Sequence, residues 1–290
     1  MAASEYWYDS QEGLRLFARV YAGPGAAAPV VLCLHGLTRN SRDFEDLAAH
    51  LAARYRVIVP DVRGRGLSAR DPNFSNYQIP VYLADLQRLL AGLGAARVAI
   101  VGTSMGGLMA MVLAAMQPAL LAGIVLNDVG PEVDPAGLAR IRGYVGKAAA
   151  VHDWAGAVAQ VRAVHGSAWP GLDDARWEKI ARTSYREDAQ GVPQPDSDPL
   201  IAEAVKDTSK AAPDLWPLWG AIARVPILAI RGEHSDILSA ATLARMQREK
   251  PDLATLTAAN RGHAPLLDEP ECVKAIDEFL GAQARAPGST

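Results

Sequence analysis

The chain has 290 residues, half of them hydrophobic, and its 29 Lys and Arg nearly balance its 32 Asp and Glu, for a net charge of −3. This composition is typical of one large α/β domain, or of a core with a modest insertion, and the sequence has no basic block that would indicate nucleic acid as a partner. No signal peptide is recognisable, and no apolar run reaches the roughly 18 residues of a transmembrane helix. The only cysteines, Cys33 and Cys272, do not suggest a disulfide framework, so a cytoplasmic location is expected.

The first half of the chain alternates predicted strands and helices. Two short strands at 5–10 and 14–21 form an opening hairpin, and the second alternates apolar and other side chains with the period of two of a strand. Continuous apolar runs at 29–34 and 56–60 predict buried parallel strands, each followed by an amphipathic helix. This pattern favours a parallel sheet with helices on both faces.

The most informative stretch follows these elements. Residues 98–101 form a short apolar strand, Gly102-x-Ser104-x-Gly106 forms a tight turn, and an apolar helix then continues to Gln117. Side chains at the two glycine positions would collide with the neighbouring strand and helix, and the turn raises the Ser104 hydroxyl clear of the sheet. This order of elements predicts a nucleophilic serine above a helix N-terminus.

Between Pro131 and about Ile222 the alternation stops. This stretch has helical patterns without a clear apolar strand, and it carries five of the six tryptophans of the chain. Ninety residues are too many for a loop, so we predict a helical cap at 131–222 that packs over the carboxyl edge of the sheet. Strands at 225–230 and about 252–256 and a closing helix complete the core, which then comprises 1–130 and 223–290.

A serine nucleophile needs a base and an orienting carboxylate. His263 is the predicted base, because it stands in a Gly-His loop before the closing helix. Asp236 is the predicted acid, since it follows a buried strand and gives the chain order Ser, Asp, His. Asp128, at the end of the preceding strand, remains the alternative acid.

Two backbone N–H groups are expected to stabilise the oxyanion of the reaction. One belongs to Met105, the residue after the nucleophile, and the other belongs to Leu37, in the loop after the first parallel strand. Gly36 lets the backbone of that loop approach the reacting atoms closely. Since no His-Glu-x-x-His motif or other ligand spacing occurs, neither a metal nor another cofactor is expected.

These features together make the chain resemble the α/β-hydrolase superfamily, specifically its capped, esterase-like members. The matching motifs are His35-Gly36, Asp61-x-Arg63-Gly64-x-Gly66-x-Ser68, Gly102-x-Ser104-x-Gly106-Gly107, Asp236 and Gly262-His263. The resemblance implies a mostly parallel eight-stranded sheet with helices on both faces and a helical cap inserted after the sixth strand. Because the turn carries Ser and not Asp, haloalkane dehalogenases and epoxide hydrolases of this fold are disfavoured.

The predicted function is hydrolysis of a carboxylic ester or lactone through an acyl-enzyme. Tryptophans of the insertion are the predicted lining of an apolar pocket for a small to medium substrate: Trp154, Trp177, Trp216 and Trp219. Two alternatives remain, namely a carbon–carbon bond hydrolase that uses cap arginines to hold its substrate, and a ligand-binding receptor with vestigial hydrolysis. A monomer or a homodimer is expected, with the small molecule as the main partner.

Overall fold

The computed structural model describes residues 3–206 and 214–285, and its centre is a sheet of eight strands. These strands are β1 (Ser4–Asp9), β2 (Arg15–Tyr21), β3 (Val30–Leu34), β4 (Arg56–Asp61), β5 (Val98–Thr103), β6 (Leu121–Asn127), β9 (Ile227–Gly232) and β10 (Ala254–Ala258). Their order across the sheet is β1-β2-β4-β3-β5-β6-β9-β10. Within this eight-stranded sheet, the pairs β1–β2 and β2–β4 are antiparallel and the other neighbouring strands are parallel. The mostly parallel eight-stranded sheet predicted from the sequence is therefore confirmed.

Helices cover both faces of this sheet. They are α1 (Glu45–Leu51), α2 (Ile79–Gly92), α3 (Met105–Met116), α9 (Ala240–Glu249) and α10 (Pro270–Ala284). One face buries apolar residues of α2, α3 and α9, and the other buries those of α1 and α10. Because apolar side chains fill both faces, the central strands read as continuous apolar runs in the sequence.

Between β6 and β9 lies the inserted segment, residues 131–222, of which residues 207–213 are outside the described part. It contains α4 (Pro135–Tyr144), α5 (Trp154–His165), α6 (Asp174–Ser184), β7 (Tyr185–Glu187), β8 (Pro193–Pro195), α7 (Ile201–Lys206) and α8 (Trp216–Ala221). Helices α5 and α6 bury a small apolar cluster of their own. The antiparallel pair β7–β8 was not predicted, because two strands of three residues are too short to show a period of two.

Two cysteines lie in the core on the same face of the sheet. Cys33 and Cys272 are both free and buried, and burial raises the pKa of each thiol above its ordinary value. They behave as small apolar side chains, as their sequence context indicates. Across 3–206 and 214–285, no helix is long and apolar enough to cross a membrane.

Candidate active site

Ser104 occupies the sharp turn between β5 and α3. Its backbone is left-handed, with φ at 52°, and its amide donates to the Asn127 carbonyl oxygen on β6 at 3.0 Å. A Cβ at Gly102 would lie 2.6 Å from the carbonyl carbon of Gly106, and a Cβ at Gly106 would lie 2.1 Å from the carbonyl oxygen of Leu34. The two glycines are therefore required for the close approach that lets this strained turn form.

His263 lies within hydrogen-bond distance of the Ser104 hydroxyl. Its Nε2 is 2.9 Å from Ser104 Oγ, and its Nδ1 is 2.8 Å from Asp128 Oδ2. The His263 side chain is 9% exposed and that of Asp128 is fully buried. In this arrangement the Nδ1–H group donates to the carboxylate, so Nε2 is free to accept the serine proton.

Asp128 is held by two further donors. The Gly232 amide donates to Oδ1 at 2.8 Å, and the Ser235 hydroxyl donates to Oδ2 at 2.6 Å. Both donors come from the end of β9 and the loop after it. A buried carboxylate needs such donors, because it has lost its hydration, and here they also fix the oxygen that faces His263.

The prediction that Asp236 would orient the imidazole is corrected by this geometry. Asp236 accepts from Arg140 of α4 at 2.5 and 2.9 Å, and no hydrogen bond to His263 is present among the described residues. Burial would raise the pKa of Asp236, but the hydrogen bonds and charge of Arg140 lower it below its ordinary value. Asp236 therefore links the loop after β9 to the inserted segment through a salt bridge. The alternative acid of the sequence analysis, Asp128, is the carboxylate that contacts His263.

The loop after β3 approaches the serine from the other side. A Cβ at Gly36 would lie 3.9 Å from Ser104 Cβ, which shows how near the backbone comes. The amides of Leu37 and Met105, the predicted oxyanion donors, donate to no residue that the structure describes. Two free N–H groups that flank a nucleophile can bind the negative oxygen of a tetrahedral intermediate.

His35 fixes the orientation of the Leu37 amide. Its Nδ1 donates to the Gly36 carbonyl oxygen at 2.7 Å, and its Nε2 accepts from the Val62 amide at 3.0 Å. Since the peptide between Gly36 and Leu37 is planar, a bond to its carbonyl also orients its N–H group. Burial lowers the pKa of His35 from 6.5 to about 4, so the ring is neutral at pH 7.

Acidification from pH 7 to pH 5 is expected to lower the free energy of unfolding by about 2 kcal/mol through His35. In that interval the unfolded chain protonates this ring while the folded chain does not, so the stability present above pH 6.5 is lost as the pH falls toward 4. Urea unfolding at pH 7, 6 and 5 measures how the free energy of unfolding changes with pH. His165→Phe removes the similar contribution of a second buried histidine, whose pKa burial lowers to about 3, and should keep the part of the pH dependence that is due to His35. His152→Asn, at an exposed position, is the control and should keep the pH dependence of the parent. If the free energy of unfolding does not fall between pH 7 and pH 5, the His35 ring is not held neutral and buried in the folded chain.

Two cavities meet near the serine. The smaller, about 120 Å³, is lined by Ser104 and His263 together with residues of the loop after β3 and of α6. The larger, about 790 Å³, lies between the loop after β4 and the inserted segment. Four residues line both cavities: Thr38, Arg39, Tyr144 and His165. The cavity at Ser104 is therefore small, and it adjoins a larger space with a mixed polar and apolar lining.

The predicted tryptophan lining is wrong for both of these cavities. Trp177 is buried in the cluster between α5 and α6, and Trp219 is buried against α3 in the main core. Trp154 and Trp216 donate to acidic side chains near the surface, Glu187 and Glu132 respectively. Large aromatic side chains anchor packing wherever apolar surfaces meet, so their number alone does not locate a pocket. Trp169 is the tryptophan that lines the smaller cavity.

Sequence reasoning missed three residues of the site. His165, Ser235 and Trp169 belong to none of the motifs found in the sequence, so no local pattern singled them out. The His35-Gly36 motif was a usable signal for the oxyanion loop, although not for the role of the imidazole. No group of three or more His, Cys, Asp or Glu suited to a metal ion occurs within the described ranges.

The chain is similar to known proteins over most of its length. A family model described as an alpha/beta hydrolase fold matches residues 29–270. A 3-hydroxybutyrate-oligomer hydrolase of Cupriavidus necator is 33% identical, over 93% of this chain and 94% of that protein. A 2-(acetamidomethylene)succinate hydrolase of Mesorhizobium japonicum is 28% identical, over 88% and 89%. The crystal structure of an alpha/beta hydrolase from Novosphingobium aromaticivorans has 45% identity and a TM-score of 0.91, over 97% and 99%.

Proposed function

The chain belongs to the alpha/beta hydrolase fold family, and from this premise we propose that it hydrolyses carboxylic esters of short acids, with Ser104, His263 and Asp128 as its triad. One observation carries the proposal. The imidazole of His263 lies 2.9 Å from the serine oxygen and 2.8 Å from a buried carboxylate, so serine, base and orienting acid form one chain of hydrogen bonds. This is the arrangement that nucleophilic acyl transfer requires.

The proposed reaction has two halves. His263 takes the proton of Ser104 as the hydroxyl attacks the ester carbonyl, and the amides of Leu37 and Met105 bind the oxyanion. The imidazolium, stabilised by Asp128, then protonates the leaving alkoxide, which releases the alcohol and leaves an acyl-enzyme. Water repeats the steps on the acyl-enzyme, and the carboxylic acid departs.

Pocket size supports a short acyl group. The cavity at Ser104 has a volume of about 120 Å³, against about 790 Å³ for the adjoining cavity. The Cupriavidus necator relative is named for oligomers of 3-hydroxybutyrate, a four-carbon acid, and it is similar over nearly its whole length. The larger adjoining cavity, with its mixed polar and apolar lining, has room for the alcohol portion of the ester. We therefore propose a short acyl group with a polar substituent, as in the acid for which the relative is named, in place of the apolar substrate of the sequence analysis.

Carbon–carbon bond hydrolysis is the second candidate, and it would need free cap arginines to hold a charged substrate. Five arginines of the inserted segment are candidates for that role: Arg140, Arg142, Arg162, Arg182 and Arg186. Four are paired, Arg140 with Asp236, Arg162 with Asp174, Arg182 with Glu178 and Arg186 with Asp196, and Arg142 lines neither of the two cavities. Paired guanidinium groups are poor anchors for another anion, because each would have to give up its present partner. The arrangement therefore supports ester hydrolysis over this alternative.

Hydrolysis of p-nitrophenyl esters from acetate to octanoate tests the proposed function. We expect repeated turnovers, with kcat/KM highest for acids of two to four carbons and falling by at least about tenfold at eight, because the pocket cannot hold the longer chain. A vinylogous diketone provides the comparison for carbon–carbon cleavage. Turnover of the diketone without turnover of the esters would favour the carbon–carbon hydrolase, and a single turnover with retained product would favour the receptor.

A further inference from the structure

His165, the last residue of α5, stands where the two cavities meet. It lines the catalytic pocket and the larger cavity, a property that it shares with Thr38, Arg39 and Tyr144. A molecule bound to Ser104 and extending into the larger space would pass this side chain. His165 is therefore placed to contact a substrate close to the bond that is cleaved.

Aromatic neighbours fix the ring of His165. It stacks on Trp169, with centroids 4.8 Å apart and planes at 25°, and it meets Tyr144 edge to face at 5.7 Å. The Trp169 indole in turn donates to the Ala264 carbonyl oxygen at 2.8 Å, next to His263. One tryptophan thus links the position of His165 to the backbone that carries the proposed base. A side chain locked in this way makes a preorganised contact.

The imidazole of His165 has no hydrogen-bond partner among the residues that the structure describes. Its Nδ1 is buried, and neither ring nitrogen forms a hydrogen bond with any residue in 3–206 or 214–285. Burial, followed by the charges of Arg39, Arg140 and His263, lowers its pKa from 6.5 to about 3. The ring is therefore neutral at pH 7, with one nitrogen that donates and one that accepts. A buried polar group without a partner is unfavourable unless a ligand supplies one.

Charged side chains around the catalytic pocket are engaged by their own neighbours. Arg39 donates twice to Asp43, at 2.7 and 2.6 Å, and Lys179 donates to Asp46 at 2.6 Å. The other two cations of the lining are paired as well, Arg176 with Asp268 and Arg42 with Asp196. These ion pairs leave the neutral imidazole as an unengaged polar group that a bound substrate can reach.

We propose that His165 is a specificity-determining residue that forms a hydrogen bond with a hydroxyl group on the acyl portion of the substrate. The substrates would then be esters of short hydroxy acids. This inference rests on the proposed function, since it concerns the ester bound at Ser104. A site built to bond a hydroxyl group discriminates against the analogue without it, because the imidazole is then left desolvated and unpaired.

A matched pair of substrates tests the proposal. Methyl 3-hydroxybutyrate and methyl butyrate differ in one hydroxyl group, and their hydrolysis is followed by acid release. For the parent we expect kcat/KM to be about 10- to 100-fold higher for the hydroxy ester. In His165→Phe, which keeps an aromatic ring on Trp169 but removes both nitrogens, this ratio should fall toward one. His165→Gln retains a donor and an acceptor, and it should keep part of the preference.

The controls separate the two proposals. His152→Phe, an exposed change in the same inserted segment, should leave the ratio as in the parent. Ser104→Ala should abolish both activities, and if it does not, the proposed function itself fails. With Ser104→Ala inactive, an equal ratio in His165→Phe and the parent would overturn the role of His165 alone. If His165→Phe does not fold, the substrate preference of the parent still tests the inference. A parent that hydrolyses the two esters equally well would overturn it.

Discussion

Replacing Ser104 with Ala is expected to lower kcat for a short p-nitrophenyl ester by about 10⁴- to 10⁶-fold. The substitution removes the oxygen that forms the acyl-enzyme, while the helix N-terminus and the free amides remain. His263→Ala should cause a loss of similar size, because the remaining hydroxyl has no base within reach. The double variant should be no slower than either single one, since residues that act as a unit are strongly non-additive.

Steady-state kinetics on folded protein measures these losses. Circular dichroism and thermal unfolding verify the fold of each variant, and two exposed substitutions, Ser75→Ala and His152→Ala, serve as controls of the same residue types. Substantial activity in folded Ser104→Ala would exclude this serine as the nucleophile. Activity in His263→Ala within tenfold of the parent would exclude this histidine as the base.

Asp128→Asn and Asp236→Asn are expected to differ by about three orders of magnitude in their effect on kcat. Asp128 accepts from His263 and thereby keeps the proton on Nδ1, whereas an amide at this position can donate to the ring and favour the wrong tautomer. We therefore expect Asp128→Asn to lose about 10³- to 10⁴-fold. Asp236→Asn only weakens a half-buried ion pair with Arg140, worth about 1 kcal/mol of stability at most.

Both variants are measured with one substrate at one pH, and the pH is then raised. Higher pH should not restore Asp128→Asn, because the amide cannot become a carboxylate. Ser235→Ala gives an intermediate case, since it removes one of the two donors that hold Asp128 and leaves the Gly232 amide in place. A loss of activity in Asp236→Asn but not in Asp128→Asn would identify Asp236 as the orienting acid. That result would contradict the geometry described above.

Local sequence was enough to locate the nucleophile. Gly102, Ser104 and Gly106 lie within five residues, and the steric reason for each glycine holds wherever a strand meets a helix in so tight a turn. The eight-stranded sheet followed from the apolar runs and from the resemblance that the motifs carry. In both cases the physical cause lies within a short stretch of chain, where a sequence can be read directly.

Local sequence does not show which aspartate orients His263. Asp128 and Asp236 both follow buried strands, and these strands, β6 and β9, are neighbours in the sheet, so each aspartate ends near the same edge. Which one faces His263 depends on Ser235, Gly232 and Arg140, whose contacts join parts of the chain about 100 residues apart. No local pattern encodes such contacts.

The residues that line the pocket also could not be predicted from the sequence. Tryptophan content predicted an apolar lining, whereas Trp177 and Trp219 pack internally and line neither cavity. The side chain to which we assign specificity, His165, has an ordinary sequence context at a helix end. Its distinguishing property, a buried nitrogen without a partner, exists only once α5 is packed against Trp169.

The rate of covalent labelling by a fluorophosphonate measures the activation of Ser104 most directly, because it needs no knowledge of the natural substrate. Intact-mass and peptide analysis would follow phosphonylation in the parent, Ser104→Ala, Asp128→Asn and Asp236→Asn. Our account predicts one adduct on Ser104, formed at similar rates in the parent and Asp236→Asn, at least about 100-fold more slowly in Asp128→Asn, and not at all in Ser104→Ala. An adduct on another residue, or slow labelling in Asp236→Asn with fast labelling in Asp128→Asn, would contradict it.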